Sequence, residues 1–378
     1  MSSTEPRPLP LLRAMIDALD RDLLQLSARR MSLVAEVAVY KRAHGLRIRD
    51  PQREREVLDD RMRLAGELGL PLGEIESIFR LLLRASRDHQ AVLRAEVPPD
   101  SEARTVAVIG GHGKIGALFS RIFADLGHRV IVADVDTPVS ASEAAAAADV
   151  TVVSVPIDVT EQVIGEVGPH VRETGLLMDV TSVKSAPVDA MLAATRASVV
   201  GTHPMFGPSV HTLQGQRVVV CRARGDAWGT WVVQALSSRG LVITETTPAQ
   251  HDRAMAVVQV LTHFQTQVLG VTLSRLGMPL EETLRFTSPA YLLELYVAAR
   301  HLAQSPALYG PIEMRNPRTG EVTEAFGAAA RELAAVIASG DQAAFDAMFA
   351  DVRAFFGGFT TEALEQSSFL IDRIVERM

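Results

Sequence analysis

The sequence predicts a multidomain chain in which an all-α segment precedes an α/β domain with a mostly parallel sheet, and a second all-α domain follows. Residues 11–95 show helical apolar spacing that is broken only near 44–51 and 68–74, with no strand-like alternation. From residue 105 seven short β-rich runs alternate with helical stretches, which indicates parallel strands joined by helices. After about residue 248 the strands stop and apolar helical patterns continue.

Composition and charge limit the classes of partner. The 378 residues are 47 % hydrophobic, which is enough for several cores in one chain. The formal net charge of -7 argues against a broad basic surface for nucleic acid, so a positive site must be local and suited to a small anion. The single cysteine, Cys221, excludes an internal disulfide, and neither a leader pattern nor an apolar run of membrane-spanning length is visible. We expect a cytoplasmic protein without nucleic-acid or membrane partners.

Changes in composition predict the domain boundaries. The polar, proline-bearing run EVPPDSEAR at 96–104 is typical of a linker. We therefore predict a helical domain over 1–95, an α/β domain over 105–247 and a helical domain over 248–378. In the last domain the apolar spacing predicts long helices over 253–276, 289–304, 322–339 and 341–376.

Cations interrupt the apolar seam of the first helix, whose members are Ile16, Leu19, Leu23, Leu26, Leu33 and Val37. Arg30 occupies the seam position between the last two leucines, and the same spacing reaches Arg13 in one direction and Lys41 in the other. A long cationic side chain can extend from a seam to solvent, but a buried and unpaired charge is costly. Three cations on one seam therefore favour a polar pocket.

Polar residues also lie on the inward stripes of the next two helices. Glu54, with Arg53 beside it, interrupts the stripe of the second helix, and Ser86 and Gln90 interrupt that of the third. The simplest joint purpose of these groups and the three cations is a pocket for a dianion inside a helical core. The first helix, about 50 Å long at 1.5 Å per residue, is too long to be covered by two shorter ones. We therefore expect an intertwined homodimer.

The whole of residues 9–94 resembles the all-helical chorismate mutases of the AroQ class. By that resemblance the family's binding residues correspond to Arg13, Arg30, Lys41, Asp50, Arg53, Glu54, Ser86 and Gln90. The resemblance implies that Lys41 and Gln90 donate to the breaking ether oxygen of chorismate, that Glu54 holds the substrate hydroxyl, and that Arg13 reaches the pocket of the partner subunit. The alternative is a non-catalytic regulatory domain that binds a related ligand.

A glycine-rich loop follows the first predicted strand. VAVIGGHGKIGALF at 106–119 contains Gly111, Gly113 and Gly116 in the G-x-G-x-x-G spacing, and the next strand ends in Asp134. We expect the first glycine to make the turn, the second to admit a pyrophosphate and the third to let helix pack on strand, while the acid binds the ribose hydroxyls. The pattern predicts a Rossmann dinucleotide-binding domain. Asp134 would repel a 2'-phosphate, which favours NAD over NADP.

Further polar runs follow later strands at the same predicted sheet edge. They are SVPIDVTEQVIGEV at 154–167, DVTSVK at 179–184 and GTHPMFGPS at 201–209. His203 ends a strand and is held extended by the proline after it. A lone histidine is commonly a structural residue, but its position at the carboxyl end of a strand beside a nicotinamide site favours a general base.

These runs resemble prephenate dehydrogenases, and their order after a mutase segment resembles the bifunctional chorismate mutase/prephenate dehydrogenases over nearly the entire chain. The resemblance implies rearrangement of chorismate to prephenate and NAD-dependent oxidative decarboxylation of prephenate to 4-hydroxyphenylpyruvate, in tyrosine biosynthesis, by a homodimer. An arogenate dehydrogenase is the alternative. The implied dehydrogenase residues are His203 and Ser182 for catalysis, Ser154 and Pro156 for the cofactor, Arg300 for the substrate carboxylate, and His251, Gln259, His263 and Tyr309 as further pocket positions. Leu292 stands where the family has another arginine.

Overall fold

The computed structural model describes residues 7–44, 46, 48, 50–95, 102–210 and 212–375, so residues 96–101 of the predicted linker lie outside the described ranges. The chain divides into two compact units. One contains residues 1–154, 165–180 and 194–245, and the other contains residues 155–164, 181–193 and 246–378. None of the helices in the described ranges is long and apolar enough to cross a membrane.

Three helices form the amino-terminal segment, as predicted. They are α1 Leu9–Ala43, α2 Pro51–Glu67 and α3 Leu72–Ala95, and α3 packs against both of the others. Asp50 caps α2, because its side chain accepts a hydrogen bond of 3.0 Å from the backbone N–H of Arg53. The chain leaves α2 through Gly69, whose φ of 68° suits a residue without a Cβ.

The apolar seam of α1 is exposed to solvent in a single chain. The side chains of Ile16, Leu19, Leu23 and Leu26 remain 56 %, 62 %, 61 % and 57 % exposed. A contiguous apolar surface of this kind is rare on a monomer and marks a surface that another element covers. The inward stripes of α2 and α3 agree with the sequence, since Ala65, Ser86 and Gln90 are buried.

The central domain is a seven-stranded sheet in the order β2-β1-β3-β4-β5-β6-β7. All neighbouring strands are parallel except the antiparallel pair β5 and β6. Each of the seven predicted runs forms a strand: β1 Thr105–Ile109, β2 Arg129–Ala133, β3 Val150–Val153, β4 Leu176–Asp179, β5 Ser198–Pro204, β6 Arg217–Arg224 and β7 Val242–Glu245. The prediction of a mostly parallel sheet is confirmed.

The core of this domain lies between the sheet and the helices α4 Lys114–Asp125, α5 Ala141–Ala147 and α8 Asp226–Ser238. Val106, Val150 and Leu176 are 0 % exposed, as is Phe119 of α4. Burying such a side chain contributes roughly 1.5–3 kcal/mol, which is why the strands consist of apolar runs without polar alternation. Two further helices, α6 Ile157–Val167 and α7 Ser185–Ala194, follow β3 and β4.

The carboxyl-terminal region is helical, as predicted, but it is more divided. Its helices are α9 Pro248–Met255, α10 Thr262–Leu276, α11 Leu280–Arg285, α12 Pro289–Leu302, α13 Pro306–Met314, α14 Thr319–Ser339, α15 Gln342–Phe356 and α16 Phe359–Val375, and a π-helical turn Ala256–Leu261 joins α9 to α10. The prediction of one helix over 341–376 was wrong. Gly357, with φ of 51°, ends α15, and a new helix begins after Gly358.

Candidate active sites

Arg30 is half-buried in the helical segment. The Nη1 of Arg30 donates to Ser86 Oγ at 2.6 Å and to the carbonyl of Leu82 at 3.3 Å. Burial lowers the pKa of Arg30, and the nearby guanidinium of Arg61 lowers it further. Both effects penalise the charged form of Arg30, so an anion that binds beside these two cations would relieve them.

Gln90 lies one turn after Ser86 on α3 and is 7 % exposed. Its Nε2 donates to the carbonyl of Ser86 at 3.2 Å, and its Oε1 has no hydrogen-bond partner among the described residues. A buried amide oxygen without a hydrogen-bond partner destabilises the folded state by about 1–3 kcal/mol and is uncommon in protein cores. The predicted residues Arg30, Ser86 and Gln90 therefore form one connected polar cluster inside the three helices.

The other predicted mutase residues lie around this cluster or on the surface of the single chain. Lys41 Nζ donates to the carbonyl of Ile48 at 2.7 Å, where α1 gives way to α2. Asp50 is exposed and caps α2. Arg53 is exposed and its Nη1 is 3.3 Å from Glu56 Oε2. Arg13 is exposed on α1, where a residue that serves a partner subunit would lie.

Glu54 has a partner that the sequence analysis missed. The Nη1 of Arg87 on α3 lies 2.6 Å from Glu54 Oε1 on α2, and the two side chains are 24 % and 19 % exposed. Arg87 directly follows Ser86, but α3 also carries Arg80 and Arg84 on its exposed side. Sequence spacing alone gave no signal that separates Arg87 from these surface arginines.

The glycine loop after β1 leaves no room for side chains. A Cβ on Gly111 would lie 2.6 Å from a methyl carbon of Val132, and a Cβ on Gly116 would lie 2.2 Å from the carbonyl oxygen of Gly110. The sequence analysis expects Gly111 to make the turn, and Gly111 is the second residue of the turn that the N–H of Gly113 closes on the carbonyl of Gly110 at 3.1 Å. The positive φ of this loop, 80°, belongs to Gly110, and Gly111 is also required for close packing against β2.

The start of α4 is suited to a pyrophosphate. Gly113 is its N-cap and provides no side-chain cap, so backbone N–H groups of the first turn remain for an anion. Asp134, at the end of β2, accepts a hydrogen bond of 2.9 Å from the N–H of His112 in the loop. This carboxylate beside a glycine cradle that any Cβ would fill fits the ribose and pyrophosphate of a dinucleotide.

His203 lies in β5 and is 2 % exposed. Its strand pairs with β6, where Val219 is its direct partner, and the preceding Thr202 donates its hydroxyl to the carbonyl of Asp179 at 2.5 Å. Two other predicted residues follow β3: Ser154 is half-buried and its N–H donates to the carbonyl of Ile109 at 2.8 Å, and Pro156 is exposed. Strand pairing therefore fixes the backbone of His203.

Asp252 holds the start of α7. Its carboxylate accepts hydrogen bonds from the N–H groups of Lys184 at 2.8 Å and Ser185 at 2.9 Å, and it lies 2.8 Å from Nδ1 of His251. Burial alone would raise the pKa of Asp252, but the bonds from His251 and the backbone lower it to about 2. The loop that carries the half-buried Ser182 is anchored by this carboxylate.

A second polar cluster joins α10, α12 and α13. The ring of Tyr309 stacks on His301 with centroids 3.9 Å apart and meets His263 edge-on at 4.7 Å. Gln267 Nε2 donates to Glu313 Oε1 at 2.7 Å and lies 3.2 Å from His301 Nε2. Burial, with a smaller contribution from His301, lowers the pKa of His263 to about 4, and burial raises that of Glu313. Sequence analysis named only His263 and Tyr309 of these five.

Arg300 lies on the exposed side of α12 in a single chain, together with Tyr296 and Val297. The buried face is Leu292, Leu295, Ala298 and His301. Apolar residues lie on both sides of α12, so helical spacing could not decide which side is buried.

Family models match the chain in three parts. A model described as chorismate mutase type II matches residues 12–91, and models described as the nucleotide-binding and dimerization domains of prephenate dehydrogenase match residues 124–239 and 247–351. The T-protein of Enterobacter agglomerans is 35 % identical over 365 residues, which cover 96 % of this chain and 97 % of that protein. The T-protein of Haemophilus influenzae is 34 % identical over 362 residues, 96 % of each chain.

Among solved structures, prephenate dehydrogenase from A. aeolicus in complex with hydroxyphenyl propionate and NAD+ is similar with a TM-score of 0.57. It is 17 % identical and covers 68 % of this chain and 98 % of that chain, so the likeness shows the fold. The matched part corresponds in extent to a dehydrogenase without the helical segment.

The glycine cradle lies on a mostly parallel sheet, and the three amino-terminal helices contain a polar cluster. These two features define a dinucleotide-dependent dehydrogenase fused to a helical mutase. The chain belongs to the T-protein family. It is a bifunctional chorismate mutase and NAD-dependent prephenate dehydrogenase of tyrosine biosynthesis. The predicted family, fold class, function and cofactor are confirmed.

Proposed function

We propose that the two activities use two separate sets of residues, one in the helical segment and one in the dehydrogenase domains. The observation that carries the mutase half is the internal cluster of Arg30, Ser86 and Gln90. The guanidinium of Arg30 lies 2.6 Å from the buried hydroxyl of Ser86, and the amide oxygen of Gln90 has no hydrogen-bond partner among the described residues. Such polar groups destabilise an apolar core but suit a pocket that binds an anion.

The mutase roles follow from the chemistry of the rearrangement. Chorismate becomes prephenate intramolecularly, so the enzyme must hold the compact conformer and stabilise charge on the breaking ether oxygen. Arg30, with Arg13 of the partner subunit and Arg53, binds the substrate carboxylates, because guanidinium groups bind carboxylates with two parallel hydrogen bonds. Lys41 and Gln90 donate to the ether oxygen.

In the dehydrogenase half, bound NAD supplies the acceptor for the hydride that leaves the substrate ring. The loop that contains Gly111, Gly113 and Gly116 binds its pyrophosphate, Asp134 binds its ribose, and Ser154 and Pro156 complete the cofactor contacts. His203 accepts the hydrogen bond of the ring hydroxyl and takes its proton as carbon dioxide leaves and the ring becomes aromatic. Ser182 is the second catalytic residue, and Arg300 binds the substrate carboxylate. His251, Gln259, His263 and Tyr309 are further pocket positions.

A coupled assay tests both halves at once. The full chain, given chorismate alone with NAD, should form NADH, and NADP should be a poor substitute because Asp134 repels its 2'-phosphate. His203→Asn should still convert chorismate to prephenate but form almost no NADH. Loss of both activities in that variant would contradict separate sets of residues, and faster turnover on arogenate than on prephenate would contradict the substrate.

We also propose that the chain works as a homodimer in the cytoplasm. A dimerisation domain is present. The exposed seam of α1 is a second apolar surface that another copy would cover, and the single cysteine is buried and suits a reducing compartment. Sedimentation of the purified chain should show a dimer at micromolar concentration.

A further inference from the structure

We propose that Gln267 is a positioning residue of the dehydrogenase site that fixes the ring of His301 and, through that ring, the side chain of Tyr309. This role rests on the proposed place of Tyr309 in the substrate pocket. Four side chains of α10, α12 and α13 carry it, and they are called the polar row below: Glu313, Gln267, His301 and Tyr309, in the order of their contacts.

The polar row lies largely away from water. The side chain of Glu313 is 14 % exposed and His301 is 9 % exposed, while Gln267 and Tyr309 are half-buried. Apolar residues of the same shape would fill a helical core about as well as such hydrogen-bonded groups do. A buried polar network instead holds its members in one arrangement, which is what a binding site requires.

Gln267 determines which atoms of its two neighbours face it. Its Nε2 donates to Glu313 Oε1 at 2.7 Å and lies 3.2 Å from His301 Nε2. An amide nitrogen only donates, so His301 Nε2 is the acceptor and the ring proton lies on Nδ1. Burial lowers the pKa of His301, which also favours the neutral ring. Gln267 thus selects one tautomer and one orientation of this imidazole.

The oriented imidazole supports Tyr309. The two rings are stacked with centroids 3.9 Å apart and an angle of 22° between their planes, and His263 meets Tyr309 edge-on at 4.7 Å. If the ring of His301 rotates, the stack is lost and Tyr309 gains freedom that substrate binding must remove. The loss should raise KM rather than lower kcat, because Gln267 and His301 are not proposed to touch the reacting atoms.

The experiment measures KM and kcat for prephenate, at saturating NAD, in the full chain and in Gln267→Met, Tyr309→Ala and the double variant. Gln267→Met removes both hydrogen bonds at similar volume and should raise KM about five- to tenfold, with kcat within about threefold. In the Tyr309→Ala background the same change should raise KM by less than about twofold further, because Gln267 acts through Tyr309. Gln265→Met, exposed on the same helix, is the matched control and should stay within about twofold of the parent chain.

An exchange of the amide and the carboxylate gives a second test, whether or not Gln267→Met folds. Gln267→Glu alone places two carboxylates together and should raise KM at least about tenfold. Combined with Glu313→Gln, it restores an amide–carboxylate hydrogen bond, now donated from position 313. The other tautomer of His301 can donate its Nε2–H to the new carboxylate, so KM should return to within about threefold of the parent chain.

Failure of the proposed pocket and failure of the role of Gln267 give different results. If Tyr309→Ala leaves KM unchanged, Tyr309 is not a pocket residue, and the role of Gln267 falls with it. If Tyr309→Ala raises KM but Gln267→Met does not, or the two effects add in full, Gln267 does not act through Tyr309. A KM that stays as high after the exchange as in Gln267→Glu alone would show that the polar row does not position the ring.

Discussion

The sheet domain and the amino-terminal helices differ in how much of their apolar surface they bury within one chain. Strand residues such as Val106 and Val150 are 0 % exposed within one chain, whereas Leu23 on the seam of α1 is 61 % exposed. The sheet domain therefore completes its own core, and the helical segment leaves an apolar face that only another surface can cover. Because α1 is about twice as long as α2, the other two helices cannot cover all of its apolar face.

The two candidate sites differ in the same way. The cofactor cradle is built from backbone, since Gly111 and Gly116 allow strand, turn and helix to approach within distances that any Cβ would prevent. The mutase pocket is built from side chains that project from three helices, such as Arg30 and Gln90. Loss of one side chain should therefore damage the mutase, while gain of one methyl group should damage the dehydrogenase.

The largest expected effect is that of Lys41→Ala. This substitution should lower the mutase kcat by about 10²–10³, because it removes the proposed donor to the charge that develops on the ether oxygen. Dehydrogenase activity on prephenate should remain within about twofold, since the sheet domain forms its core without α1. Both rates are measured on the same preparation, and an equal loss of both would contradict the contrast between the domains.

Gly116→Ala should have the opposite pattern. Its Cβ would lie 2.2 Å from the carbonyl oxygen of Gly110, so α4 must move away from the loop. We expect KM for NAD to rise at least about tenfold, with mutase activity retained. Gly165→Ala in α6 is the matched control, because no atom lies within 4 Å of its Cβ. Normal NAD binding by Gly116→Ala would show that the cradle is not backbone-built.

Leu23→Glu tests whether another copy covers the seam of α1. A charge on this face should weaken association of the helical segment, so mutase activity should become dependent on protein concentration and fall severalfold at nanomolar enzyme. Arg21→Glu, on the opposite side of α1, should leave that dependence unchanged. If Leu23→Glu behaves as Arg21→Glu does, the seam is not an interface. Activity measured over a dilution series gives the answer.

The smallest expected effect is that of Asp252→Asn on stability. The folded-state pKa of Asp252 is lowered from 3.8 to about 2, so its contribution is present above pH 4 and is lost as pH falls toward 2. The variant should lose on the order of 2 kcal/mol at pH 7, and the difference from the parent should vanish near pH 2. Asp189→Asn, exposed on α7, is the control. A difference in melting temperature that persists at pH 2 would contradict this account.

Much of the fold could be predicted because periodicity is a local property. The breaks near 44–51 and 68–74 coincide with the ends of helices, and all seven β-rich runs form strands. Local spacing did not predict the structure where one sequence pattern fitted two structures equally well. Gly357 and Gly358 interrupt an otherwise continuous apolar pattern, and α12 has apolar residues on both sides, so the exposed position of Arg300 was not foreseeable.

The sites were predictable to different degrees for the same reason. The spacing of Gly111, Gly113 and Gly116 predicted the cradle, but only the folded backbone shows that the positive φ in this loop belongs to Gly110. Arg87 escaped prediction since its partner Glu54 is on another helix. The roles of Arg13, Arg53 and the other mutase and dehydrogenase residues remain predictions.

The sequence by itself determined the three-part architecture, the dinucleotide motif and the identity of the polar residues that interrupt the helical stripes. These features are encoded in the spacing of residues along the chain, because helix and strand periodicity and the glycine spacing each extend over only a few residues. Only the tertiary structure decided which polar residues meet, such as Arg30 with Ser86, Asp252 with the start of α7, and Glu54 with Arg87. Such pairs form only when separate helices and strands pack together. A contact between residues far apart in the sequence leaves no periodic pattern in that sequence.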